Sequence, residues 1–224
     1  MTIEWMLLIV IAIIGFIVQA RLQSVFTKYS RVPMENGLTG REVAEKMLRD
    51  NGIYDVQVIS TRGHLTDHYN PANKTINLSE SVYASNSIAA AAVAAHETGH
   101  ALQDACEYAP LKLRSALVPV ISFSSQWSFI LILLGIIMIN TMPAIFWLGI
   151  ATIALSAVFA IVTLPVEFNA SNRAMQWLEA SGTLHGEHLQ QARTALSWAA
   201  RTYVVAALSA IATLLYYLGF ARRE

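Results

Sequence analysis

From Ser115 to Val166 the chain contains no Asp, Glu, Lys or Arg. Those 52 residues are more than twice the ~20 that one helix needs to cross the hydrocarbon core of a bilayer. Asn140-Thr141-Met142-Pro143 breaks the run near its middle with turn-forming residues. The stretch therefore reads as a transmembrane hairpin, Leu117–Ile139 and Ala144–Leu164, with almost no loop. Pro119 and the Ser122–Ser128 stretch make the beginning of the first arm unusually polar, which suggests that it faces a hydrated cavity.

Two further uncharged runs flank this hairpin at a distance, Trp5–Ala20 and Thr202–Ala221. Trp5–Ala20 is short for a span but workable with its neighbours. A cleaved signal peptide is the competing reading; it is opposed by Glu4 and the lack of any Lys or Arg before the apolar run. The chain thus divides into residues 1–20 (first span), 21–114 (soluble), 115–164 (hairpin), 165–201 (soluble) and 202–224 (fourth span and tail). At 55% hydrophobic and 13% charged residues, the composition fits a membrane protein and not an ordinary soluble one. A net charge of zero offers no case for a nucleic-acid partner. Cys106 is the only cysteine, which excludes an intramolecular disulfide; ten positions after His96, it reads as a small apolar residue on the motif helix, away from the face of that histidine.

Four spans put both soluble segments on one side of the membrane. Of the 15 Lys and Arg, ten lie in 21–114, three in 165–201 and two in the tail. By the positive-inside rule the soluble side is cytoplasmic, in a cell or inner membrane.

Within 21–114, Thr39-Gly40-Arg41-Glu42 has the form of a capping box, and the helix it opens stops at Asn51-Gly52. Val56–Ile59 and Thr75–Leu78 read as two strands of a small ribbon, separated by turns at Thr61-Arg62-Gly63 and Asn70-Pro71-Ala72-Asn73. An exposed strand edge there could hold an extended peptide. Ser85-Asn86-Ser87 then offers N-cap oxygens to a proline-free, alanine-rich helix running from Ile88 through Gln103.

That helix carries His96-Glu97-Thr98-Gly99-His100. Residues four apart on a helix are rotated by only about 40°, so both imidazoles can reach one Zn²⁺ while Glu97 reaches a water on it. Gly99 leaves part of the helix surface bare, which would let another backbone approach closely. The alternative is a core helix whose His and Glu residues make buried hydrogen bonds. After the hairpin, Glu167 is the first charge. A carboxylate at a membrane edge needs a partner, and zinc would be one; pairing with Arg173 or simple hydration is the other reading. Pro165 reads as the start of a new helix through Leu178. His64 and His68 lie in the ribbon region, where they are surface residues or contacts to substrate. His185-x-x-His188 is a pair of ordinary surface histidines or a second metal pair.

Several blocks in this order, Asp67-His68-Tyr69-Asn70-Pro71, Leu78-Ser79, His96 to Gln103, Tyr108 to Pro119 and Leu164 to Ser171, resemble the YugP-type family of bacterial membrane zinc metallopeptidases. The likeness covers nearly the whole chain. More distantly the chain is similar to the HtpX-type and CAAX-prenyl membrane proteases, in which a ligand Glu follows a transmembrane segment and an Asp four residues later supports a ligand histidine. Here that later position is Ser171, so Ser171, Asn169 or Asn172 would orient an imidazole instead, and Arg173 is a further candidate around the site.

These readings define a mainly α, polytopic membrane protein with about four transmembrane helices and a small α+β, zincin-like cytoplasmic part. The expected function is a zinc metalloendopeptidase: His96, His100 and Glu167 hold Zn²⁺, and Glu97 is the general base toward a peptide or membrane-protein substrate. Membrane lipid is the other expected partner. Intramembrane proteolysis fits less well, because the motif lies in a polar-flanked segment. A catalytically silent, metal-stabilised membrane scaffold or chaperone subunit is the alternative from a different class, and intact Glu97 argues against it. The same ligands would accept other divalent metals.

Overall fold

A computed structural model describes residues 3–63 and 65–221. In chain order the elements are α1 (Ile3–Tyr29), α2 (Gly40–Asp50), β1 (Gln57–Thr61), β2 (His68–Asn70), β3 (Thr75–Ser79), α3 (Glu80–Tyr83), α4 (Ile88–Ala105), α5 (Ala109–Ile137), α6 (Pro143–Ala180) and α7 (Gly186–Ala221). Contacts divide the chain into two compact units. One comprises residues 1–17, 112–165 and 202–224, the other residues 18–111 and 166–201.

The first unit holds the apolar parts of α1, α5, α6 and α7, which among the described residues are the four helices long and apolar enough to cross a membrane. Ile132, Phe146, Ile150 and Ile153 form its buried cluster, with Leu214, Leu218 and Phe220 packed against it. Outward-facing side chains are themselves large and apolar: Phe16, Phe129, Ile137 and Leu148 are all more than half exposed. Such a surface suits lipid and not water. The hairpin forms as expected, and a Cβ at Gly135 would fall 2.4 Å from Phe146 Cα; only glycine lets the two arms come that close. The polar start of α5 needs no hydrated cavity. Ser124 and Ser125 donate to Ile121 O and Ser122 O, and Ser128 Oγ accepts from Thr152 of α6 at 2.8 Å, so these hydroxyls find partners within the protein.

In the second unit the capping box forms as written. Thr39 N donates to Glu42 Oε2 at 2.8 Å, and Glu42 N donates to Thr39 Oγ1 at 3.3 Å. The sheet departs from a two-stranded ribbon. Its order is β1-β3-β2, with β1 parallel and β2 antiparallel to β3. The short β2 falls where the sequence suggests the approach to a turn, and the turn itself follows, Asn70 Oδ1 accepting from Ala72 N at 2.9 Å. β3 becomes the central strand, with Ile76 and Leu78 inaccessible. Met47, Ile76, Leu78, Ile88 and Leu178 anchor the core around the alanines of α4.

The helices also overrun their expected ends. Pro165 lies inside α6, not at a helix start; it removes one backbone donor and crowds the carbonyl four residues back, but the helix continues. Likewise α1 continues past Arg21 and Lys28, and α7 runs unbroken from Gly186 through Arg201 into the uncharged stretch. Cys106 is the exposed C-cap of α4 instead of a packed apolar residue.

Candidate metal centre

α4 begins where Ser87 Oγ accepts from Ala90 N at 3.2 Å, satisfying one of the first-turn donors. Its alanines are buried in the core, and His96, Glu97 and His100 are the large polar groups on the turn that follows. Glu97 and His100 are buried and His96 half-buried. The partner element is α6. A Cβ placed on Gly99 would lie 2.6 Å from Ala170 O, so the bare helix surface anticipated at Gly99 is occupied by the α6 backbone. Glu167 and Ser171 flank that contact, one turn apart on a single face of α6.

The result is a cluster of three donors. His96 Nε2 lies 3.3 Å and His100 Nε2 3.7 Å from Glu167 Oε2, and the three donor atoms all fall within 4.8 Å of one another. Two ligand atoms held about 2.1 Å from a tetrahedral ion are separated by about 3.4 Å. The cluster is therefore of a size to take such an ion, and two imidazoles with one carboxylate are a donor set that zinc accepts.

The hydrogen bonds behind the cluster decide which imidazole nitrogens face it. Gln103 Nε2 lies 2.8 Å from Val166 O and 3.0 Å from Asn169 Oδ1. A carbonyl oxygen can only accept, so the nitrogen of the Gln103 amide must be on that side and its oxygen on the other. That oxygen is 3.0 Å from His100 Nδ1, which must then carry a proton, leaving Nε2 with its lone pair toward Glu167. Asn169 is oriented in turn by Arg173 Nε at 2.8 Å. Ser171 Oγ sits 3.0 Å from His96 Nδ1 and is the natural partner for that ring. The His100 lone pair and a carboxylate face one another, an arrangement that favours a cation: burial disfavours charge on His100, but Glu167 and Glu97 outweigh it and raise its pKa.

Of the expected site residues, His96, His100, Glu167, Asn169, Ser171 and Arg173 come together through these contacts, and Glu97 is buried beside them on α4, near enough to His100 to raise its pKa. Asn172, exposed on α6, lines a neighbouring cleft with Ser171. His68 sits at the start of β2, exposed, with Nδ1 2.8 Å from Thr66 O, apart from the ligand cluster's bonds. His64 lies outside the described residues. His185 and His188 both turn toward the Glu35 carboxylate, at 3.6 and 3.8 Å, on the protein surface. Sequence reasoning missed Gln103; its place three residues after His100 puts it on the same helical face, but its complete burial shows only in the fold. It also missed Tyr69, whose hydroxyl donates to Asp104 at 2.8 Å and ties β2 to the last turn of α4. Burial and that carboxylate push the Tyr69 pKa up.

Two histidines and one carboxylate within reach of one ion, on a chain with four membrane-length helices, describe a multi-pass membrane protein with a candidate metal centre. The comparisons with known proteins agree. Residues 4–222 match the family model described as "Putative neutral zinc metallopeptidase", and the chain belongs to that family. It is 42% identical over 205 residues to the "Putative membrane protease YugP" of Bacillus subtilis (strain 168), covering 92% of this chain and 90% of that one. No solved structure gives a significant match.

Proposed function

We propose that this protein is a zinc-dependent endopeptidase of the cell membrane, acting at the cytoplasmic face, with His96, His100 and Glu167 as the metal ligands and Glu97 as the general base. The observation that carries this is the convergence of three donors, with the His100 tautomer set from behind by Gln103, next to a buried glutamate that is not one of the three. Bound zinc would lower the pKa of a water toward 7 and polarise a peptide carbonyl. Glu97 takes the proton of the attacking water and passes it to the departing amine nitrogen, so that the carboxylate ends the cycle as it began. Gln103 and Ser171 keep the imidazole rings from turning, and Asn169 with Arg173 holds Gln103. The free outer edge of β2, tied to α4 through Tyr69 and Asp104, offers ladder hydrogen bonds to an extended peptide. A cytoplasmic site is supported by the distribution of Lys and Arg.

Glu97→Gln tests the assignment. The variant keeps shape but not basicity, so zinc content and folding should match the parent while peptide hydrolysis drops about 10²–10⁴-fold. Equal turnover by the variant removes Glu97 from the mechanism. If neither form hydrolyses peptides yet both restore a deletion strain equally, the protein is a metal-stabilised scaffold.

A further inference from the structure

The α4 face that carries His96, Glu97 and His100 continues toward the helix N-terminus as Ala89, Ala90 and Val93. At 100° per residue these six positions span only about 120° of the helix circumference, and at 1.5 Å per residue Val93 lies about 6 Å and Ala90 about 10 Å along the axis from Glu97. Ala89, Ala90 and Val93 form one wall of a cleft of about 150 Å³, closed by Leu22 and Phe26 of α1 and by Val82 of α3. The two alanines are what keep it open, since both are buried and any longer side chain there would project into the space. Half of the residues that line it are apolar, and several of the polar ones are already paired. Asp67 accepts from Ser79 N at 2.7 Å and from Ser79 Oγ at 3.1 Å, and Ser87 Oγ takes the Ala90 N–H. The walls thus have hydrogen-bond partners already and ask for a ligand without charge.

We propose that this cleft is a specificity pocket: it takes one large apolar side chain, of leucine, methionine or phenylalanine size, from a substrate residue within three positions of the bond cleaved. The inference rests on the peptidase reading above and names the substrate that reading leaves open. An apolar cavity of about 150 Å³ holds a benzene ring, so the volume matches one such side chain. An extended peptide advances about 3.3 Å per residue, so with a carbonyl placed at the metal centre the side chains about two and three residues along lie over Val93 and Ala90. Acidic side chains are rejected by the cost of desolvating them beside the Asp67 carboxylate.

The test uses the full-length, zinc-loaded protein in detergent and a degenerate peptide library, with cleavage sites read by mass spectrometry. The parent should show Leu, Met or Phe enriched at one fixed position beside the cut. Ala90→Leu, which fills the cleft, should lower kcat/KM at least 10-fold for a peptide with Phe there and leave the matching Ala peptide within twofold, the scale on which apolar pockets discriminate size. Phe26→Ala enlarges the cleft from the α1 side and should admit Trp; it also carries the test should Ala90→Leu fail to fold. Zinc stoichiometry measured on each variant reports whether the metal centre is intact. Cleavage with no apolar preference, or a preference that neither variant changes, overturns the pocket and leaves the peptidase standing. A fully zinc-loaded parent that cleaves no peptide overturns the peptidase reading, and the pocket's role with it.

Discussion

At the residue scale, the site depends on who holds the histidines. Gln103 is inaccessible to solvent and bonded to three groups at once, His100, Val166 O and Asn169. Gln103→Leu keeps the packing but frees the ring, so zinc affinity should fall about 10–100-fold, measured by competition with a fluorescent chelator. The raised pKa of His100 carries a second expectation. Its proton stabilises the metal-free fold fully below the ordinary histidine value of 6.5, and that contribution disappears as pH rises through the higher folded value. Zinc needs the same nitrogen deprotonated. The melting-temperature gain produced by a fixed free zinc concentration should therefore be larger at pH 8 than at pH 6, and equal gains would mean that His100 does not exchange its proton for the metal. His96-Glu97-x-x-His100 was legible from spacing alone; Gln103 was not, because nothing local distinguishes a glutamine that holds a ligand from one that faces water.

At the element scale, α4 and α6 meet at Gly99. Helix propensity favours alanine over glycine by about 1 kcal/mol, whereas a Cβ 2.6 Å from a backbone oxygen has no flexible neighbour to displace. Overpacking of this kind costs about 1–3 kcal/mol. Gly99→Ala should then lower the melting temperature, and because Glu167 and Ser171 travel with α6 it should weaken zinc binding as well. A higher melting temperature with unchanged affinity would show that α6 can move aside without disturbing the ligands. Hydropathy located the apolar stretches well but misplaced the ends of the helices. Loss of apolar character marks where the surroundings change; a helix ends where capping and turn chemistry end it, as at Asn51 and Gly52. Neither operates at Ala20 or Arg201, and one proline is insufficient at position 165.

At the scale of the whole molecule, orientation is the open question, and charge answers it with a definite expectation. Thirteen of the fifteen Lys and Arg fall in residues 21–114 and 165–201, the segments that carry the motif and Glu167. In a Cys106→Ser background, a cysteine at position 70 should resist a membrane-impermeant thiol reagent in intact cells and one at position 141 should react. The reverse pattern would place the metal centre outside the cell and change the pool of substrates.

The sequence by itself determined the four apolar helices, the capping box of α2, the α4 helix and the pairing of His96 with His100, since each rests on periodicity, charge or turn chemistry within about twenty residues. It also placed Glu167 among the candidates, through its isolation next to a long uncharged run. Only the tertiary structure decided that β1 and β3 run parallel with β2 at the edge, that Ser171 stands behind His96 and Gln103 behind His100, and that two alanines of α4 leave a cleft beside α1. Strand order and hydrogen bonds between distant residues, such as Ser171 and His96 at 75 positions apart, depend on which elements pack together, and packing is set by the shapes of both surfaces, of which a local pattern describes one.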